Sequence, residues 1–318
     1  METTVNQKIT YPQDWPAYNK AQTQEGQLFM KLLSDMCGEI GSKPYVFGRP
    51  KLPISDMVFA SALKVYSTFS LRRFVSLMRT AKEKGFTSTV CSYSTVSNYM
   101  RTPEMTTVLT EMIKQSSLAL ASVEKDFAVD ASGFSTCRFK RWYDSKYGKE
   151  MNARMWIKTH IMCGTKTNVV TSIKLSEFFG SDNKFFKELV EDTAENFVIN
   201  EVSADKAYSS RDNLKCVHNV GGTAYIPFKK SATAKARGSL LWTKMYHYFM
   251  YNREGFLEHY HKRSNIEAVF HMVKAKFGDS LRSKDKVAQI NEVLLKFLCH
   301  NICVVIQEMH ELGTSPQL

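Results

Sequence analysis

Apolar residues recur along this chain at two periods, and the period changes near residue 126. Between residues 54 and 122 they fall three and four apart, the spacing of helices that bury one face. Ser55 is placed to cap a helix running to about Tyr66, and Ser70 one running to about Glu83 that Gly85 ends. Ser94 opens a short helix over 94–100, and Pro103 suits the first turn of a longer one reaching about Ser122. Upstream, residues 1 to about 50 read as irregular apart from a helix near 22–36, and 43–53 carries three prolines and reads as a linker. The three short helices before Pro103 make either a helix-turn-helix, with 94–101 as the reading helix, or part of a bundle that only packs.

After residue 126 the pattern is that of strands. Residues 126–132 form a compact β-type run that ends in a polar turn, and 155–163 with 168–175 form a hairpin around Gly164. A helix over 182–195, a strand over 197–204, a helix over 209–219 and a strand over 223–228 follow, and from about Ser239 the chain is helical to Leu312. This order predicts an α/β fold, a mixed sheet with helices on its faces, over 123–312. It stands behind an all-helical domain over 1–122, and 313–318 is a tail.

Within the last helical stretch, Tyr260, Arg263, Glu267 and Lys274 share one helical stripe, an arc of about 60°. Ile266, Phe270, Val273 and Phe277 form the apolar stripe beside it. A lone carboxylate flanked by cations suits a place where a metal and a phosphate meet.

Charge adds a partner. The net charge is +12, and residues 229–286 carry 13 Lys/Arg against 5 Asp/Glu, +8 of that total. Such clustering points to nucleic acid. Arg138, Lys140 and Arg141 are interleaved with rings in 138–149, and Lys229, Lys230, Lys235 and Arg237 lie in a basic stretch that reads as mobile; both suit DNA contacts. The seven cysteines are scattered and odd in number, which fits free thiols in a reducing compartment. Cys299, His300 and Cys303 sit in an apolar helical run and read as core rather than zinc ligands. No signal-peptide core and no uncharged apolar stretch of about 18 residues is seen, so no membrane span is expected and the cytoplasm, at the nucleoid, is the expected location.

Asp130 and Asp205 each close a predicted strand and precede a polar turn. Sites in open α/β sheets gather at strand C-terminal ends. Two neighbouring strand ends would bring these aspartates together, with Glu267 supplied by a helix on the sheet. Converging carboxylates repel unless cations bind, and Mg2+ prefers such oxygens. Two such ions about 4 Å apart can drive phosphodiester cleavage without a histidine base. Taken singly, each aspartate also reads as a turn former and Glu267 as part of a solvated row.

The pattern Tyr260-x2-Arg263-x3-Glu267-x6-Lys274, after Asp-Ala-Ser at Asp130 and Ala-Asp-Lys-Ala-Tyr at Asp205, resembles the DDE transposases of bacterial insertion sequences, in the branch with a Tyr-Arg-Glu-Lys signature. The likeness spans about residues 125–310. It implies a ribonuclease-H-like catalytic domain in which Asp130, Asp205 and Glu267 hold Mg2+, as two ions, with Mn2+ a substitute. It further implies cleavage at element ends and strand transfer to target DNA by a homodimer, with Tyr260, Arg263 and Lys274 holding the end. The 62 positions from Asp205 to Glu267 leave no room for the large β insertion of some relatives. Two other readings remain at this point: a DNA-binding protein derived from such an enzyme, and an endonuclease without strand transfer.

Overall fold

A computed structural model describes residues 14–41, 47–48, 51–136, 156–177 and 182–313. Arg138, Lys140, Arg141 and most of the 43–53 linker lie outside them. Five helices come first: α1 (Trp15–Gly38), α2 (Ile54–Tyr66), α3 (Leu71–Glu83), α4 (Tyr93–Tyr99) and α5 (Pro103–Leu118). Ser70 caps α3 as expected, its hydroxyl accepting from the Arg73 N–H. Two other expected starts are corrected. Pro53, not Ser55, precedes α2, and Ser92, not Ser94, caps α4 by accepting from the Thr95 N–H. Ser55 therefore lies inside the first turn of α2. α1 is longer than expected, because Asp14 and Pro16 start it well before residue 22.

The sheet has five strands: β1 (Asp126–Ser135), β2 (Trp156–Gly164), β3 (Val170–Glu177), β4 (Glu201–Ala204) and β5 (Thr223–Tyr225), in the order β3-β2-β1-β4-β5. β1, β2 and β3 are antiparallel neighbours, whereas β4 runs parallel to β1 and β5 parallel to β4. This mixed order is compatible with a ribonuclease-H-like fold. The intervening helices are α6 (Asn183–Ala194) and α7 (Arg211–Asn219), followed by α8 (Leu240–Tyr251), α9 (Arg253–Tyr260), α10 (Ser264–Phe277) and α11 (Lys286–Glu311).

Alternation along β1 sorts the core into two layers. Phe127 and Val129 pack with α6, α7, α8 and α9 in one cluster. Ala128 and Phe134 point the other way, into a cluster with α10, α11 and the five N-terminal helices. Asp126, Asp130 and Ser132 share the parity of Ala128, so β1 turns its polar side chains toward α10.

α11 is long and apolar enough to cross a membrane by length and composition, but 83% of that window is buried inside the molecule. It is the central helix of the core. The cysteine–histidine run belongs to it: Cys299 and His300 are buried, and His300 Nε2 lies 3.0 Å from the Asn168 carbonyl.

Candidate active site

Asp130 does not end its strand. β1 continues antiparallel to β2 as far as Ser135, so the expected strand end is corrected. What ends near Asp130 is the parallel pairing, at Val129 opposite Ala204. The next residue on each strand is an aspartate. Strands are about 4.8 Å apart, so this register sets Asp130 beside Asp205. Asp205 leaves β4 and opens a 3-10 turn, Lys206–Tyr208. Each aspartate accepts one hydrogen bond from the N–H that follows it, Asp130 Oδ1 from Ala131 at 2.8 Å and Asp205 Oδ1 from Lys206 at 2.6 Å.

The stripe expected on one continuous helix is built from two pieces. α9 ends at Tyr260, a 3-10 turn covers His261–Arg263, and α10 begins at Ser264. In a 3-10 turn, residues three apart eclipse, so Tyr260 and Arg263 still face one way. Glu267 lies one turn on along α10. Arg263 donates to Glu267 at 2.6 Å and stands 3.6 Å from Asp130. It thus joins a sheet carboxylate to a helix carboxylate.

Burial is the main cause that raises the Asp130 carboxyl above the usual aspartate range. The Ala131 N–H and the Arg263 charge oppose that rise, and the charges of Asp205 and Glu267 add to it. The Tyr260 hydroxyl is also raised, first by burial, with Arg263 opposing.

Lys274 departs from the exposed row. It is half-buried, donates to Ser132 Oγ at 2.6 Å and lies over the rings of Phe134 and Phe270 at 5.5 and 5.8 Å. Burial lowers its pKa. The basic stretch after β5 is held rather than mobile. Arg211 donates to the carbonyls of Lys235 and Ala236, Trp242 to Thr233, and Thr243 to Ala234. Lys229, Lys230, Lys235 and Arg237 stay exposed on that platform. They are not brought to the carboxylates by any described contact.

Lys262 was missed. It pairs with Asp126 at 2.7 Å and Glu201 at 2.8 Å, and His259 reaches Glu201 at 2.8 Å. A signal existed only in the register: Asp126 lies opposite Glu201, and two like charges side by side demand a cation. The bridge fixes the turn carrying Arg263 to both site strands. Asn265 adds a second tie, donating to the Thr165 carbonyl in the β2–β3 turn.

The donors are carboxylate oxygens only, which suits a hard divalent cation. Among the described residues, no three His, Cys, Asp or Glu side chains stand close enough to hold one ion together. The donor chemistry fits through the Asp130–Asp205 pair, while Glu267 is turned to Arg263, the cation that neutralises it here.

A family model described as "Transposase DDE domain" matches residues 121–302, more than half of the chain. No solved structure matches the chain.

Proposed function

The chain belongs to the transposase DDE domain family, and from that premise we propose that it is the transposase of an insertion sequence, in the branch marked by Tyr260, Arg263, Glu267 and Lys274. It binds element ends, cleaves them and joins them to target DNA, acting at the nucleoid as a dimer at least, because two ends must meet. The observation that carries the reading is the neighbouring of Asp130 and Asp205 at the end of the parallel β1–β4 pairing, with Glu267 tied to Asp130 through Arg263.

In this reading Asp130, Asp205 and Glu267 hold Mg2+, as two ions, with Mn2+ able to replace it. Bound metal supplies positive charge at the scissile phosphate and acidifies the attacking hydroxyl. Arg263 does the exchanging. Its guanidinium now spans Asp130 and Glu267, and its fork matches a phosphate equally well. Moving to the DNA backbone frees both carboxylates. Tyr260 stacks on a base or donates to phosphate, and Lys274, with its ammonium at Ser132, adds a point charge beside β1. Lys229, Lys230, Lys235 and Arg237 offer phosphate contacts from their pinned loop, and Arg138, Lys140 and Arg141 from the segment after β1. The helices before residue 122 are the candidates for end recognition, with 94–101 as the reading helix.

The test uses DNA flanking the gene, a plasmid target and Mg2+. Wild type is expected to produce end-specific joined molecules, and Glu267→Gln none, with DNA binding retained. Cut ends without joined product would make the protein an endonuclease. Shifted bands in both samples, with no cutting in either, would leave a DNA-binding protein without chemistry.

A further inference from the structure

We infer that Tyr208 is a positioning residue of the carboxylate site, its buried hydroxyl being the donor that aligns the Asp130–Asp205 pair when a divalent cation is bound. The inference rests on the metal-site reading above.

The local chain explains why the hydroxyl is where it is. Tyr208 closes the 3-10 turn that Asp205 opens, its N–H donating to the Asp205 carbonyl at 2.9 Å. Its own carbonyl accepts from Asn213 Nδ2 at 2.7 Å, and its ring packs against Phe186 at 5.6 Å. Three neighbours therefore hold the residue, and it is 1% exposed. The hydroxyl alone is unmatched: among the described residues nothing hydrogen-bonds to it.

An unmatched buried hydroxyl destabilises the fold, so phenylalanine would serve packing better. The surroundings say what the hydroxyl is for. After burial, the charges that disfavour its ionisation are those of Asp130, Asp182 and Asp205. Residues three apart eclipse in a 3-10 turn, so Tyr208 leaves the turn on the side of Asp205, where a phenol can donate toward a carboxylate or toward water held by one.

Orphaned polar atoms gather at this same edge. Besides Tyr208 Oη they include Arg263 Nε and His160 Nδ1. Asp182 pairs with Lys158, and His160 Nδ1 lies 3.8 Å from Asp182. Unmet donors and acceptors on both faces of β1, around one carboxylate pair, are those of a site whose hydrogen bonds are completed by what it binds.

The test compares wild type with Tyr208→Phe, and uses Tyr208→Leu as a packing control. Two readouts are taken: melting temperature across a Mg2+ or Mn2+ titration, and end cleavage across the same titration. Tyr208→Phe should melt no lower than wild type without metal, since it loses only an unmatched group. Its half-saturating metal concentration should rise about 10-fold or more in both readouts, the scale seen when the partner of a metal ligand is removed. Tyr208→Leu should melt lower even without metal. Wild-type half-saturation in Tyr208→Phe would overturn the inference, whatever its melting temperature. A wild type whose melting no divalent cation shifts would overturn the metal-site reading instead, and with it this role.

Discussion

At Asp130 the fold holds a carboxylate against its own electrostatics. Burial and two neighbouring carboxylates push its pKa up, and Arg263 with the Ala131 N–H recovers only part. A raised carboxyl pKa in the folded state means that the native protein binds more protons than the unfolded chain above about pH 4. Stability is then lost as pH rises from the ordinary aspartate range through the raised value. Asp130→Asn removes that loss. It is expected to abolish cleavage yet melt higher than wild type at neutral pH, with the gap closing toward pH 4. Melting curves of both proteins across pH check this; a gap of the opposite sign would mean that the Arg263 pairing outweighs burial. The aspartates and the Tyr-Arg-Glu-Lys spacing were legible from residue order. Tyr208 and Lys262 were not, because each acts through groups that only the β1–β4 register brings near.

Elements followed the sequence where local pattern decides them. The hairpin expected over 155–163 and 168–175 is Trp156–Gly164 and Val170–Glu177. The strand expected over 197–204 shrinks to Glu201–Ala204, since ladder pairing begins only where Asp126 lies opposite Glu201. Phe197 and Ile199 are apolar because they are buried, not because they are in the sheet. The hairpin turn has its own support. The buried Glu124 carboxylate accepts from the Lys166 and Thr167 N–H groups and from Thr167 Oγ1. A Cβ on Gly164 would collide with that carboxylate. Gly164→Ala should therefore displace Glu124, at a cost of about 2 kcal/mol or more from unmet buried bonds, measurable by urea unfolding. Asn265 holds the start of α10 to this turn, so cleavage should fall as well.

At the scale of the whole molecule, α11 joins the parts. Its Asn291 donates to the carbonyls of Met100 and Thr102. Its Asn301 donates to the carbonyls of Ile113 and Val170 and accepts from the Val170 N–H. The first five helices and α11 share a single apolar cluster with one face of the sheet. Removing residues 1–122 would expose that cluster, take from Asn291 its partners Met100, Thr102 and Thr106, and leave Asn301 only those on Val170. The expected product is a chain that aggregates or lacks cooperative unfolding by circular dichroism. A truncated protein that melts cooperatively would show that the sheet and its last helices hold a core of their own.

The sequence by itself determined the change of period near residue 126, the order of strands and helices, and the spacing of one glutamate between an arginine and a lysine. Those are local properties, carried by repeats of two and 3.6 residues. Only the tertiary structure decided that Asp130 continues a strand, that Lys274 turns inward to Ser132, and that a 3-10 turn at His261–Arg263 delivers Arg263 to Asp130. It also decided that α11 is core. The first depends on pairing with β2 and the next two on contacts between residues more than a hundred positions apart, and no local period records either.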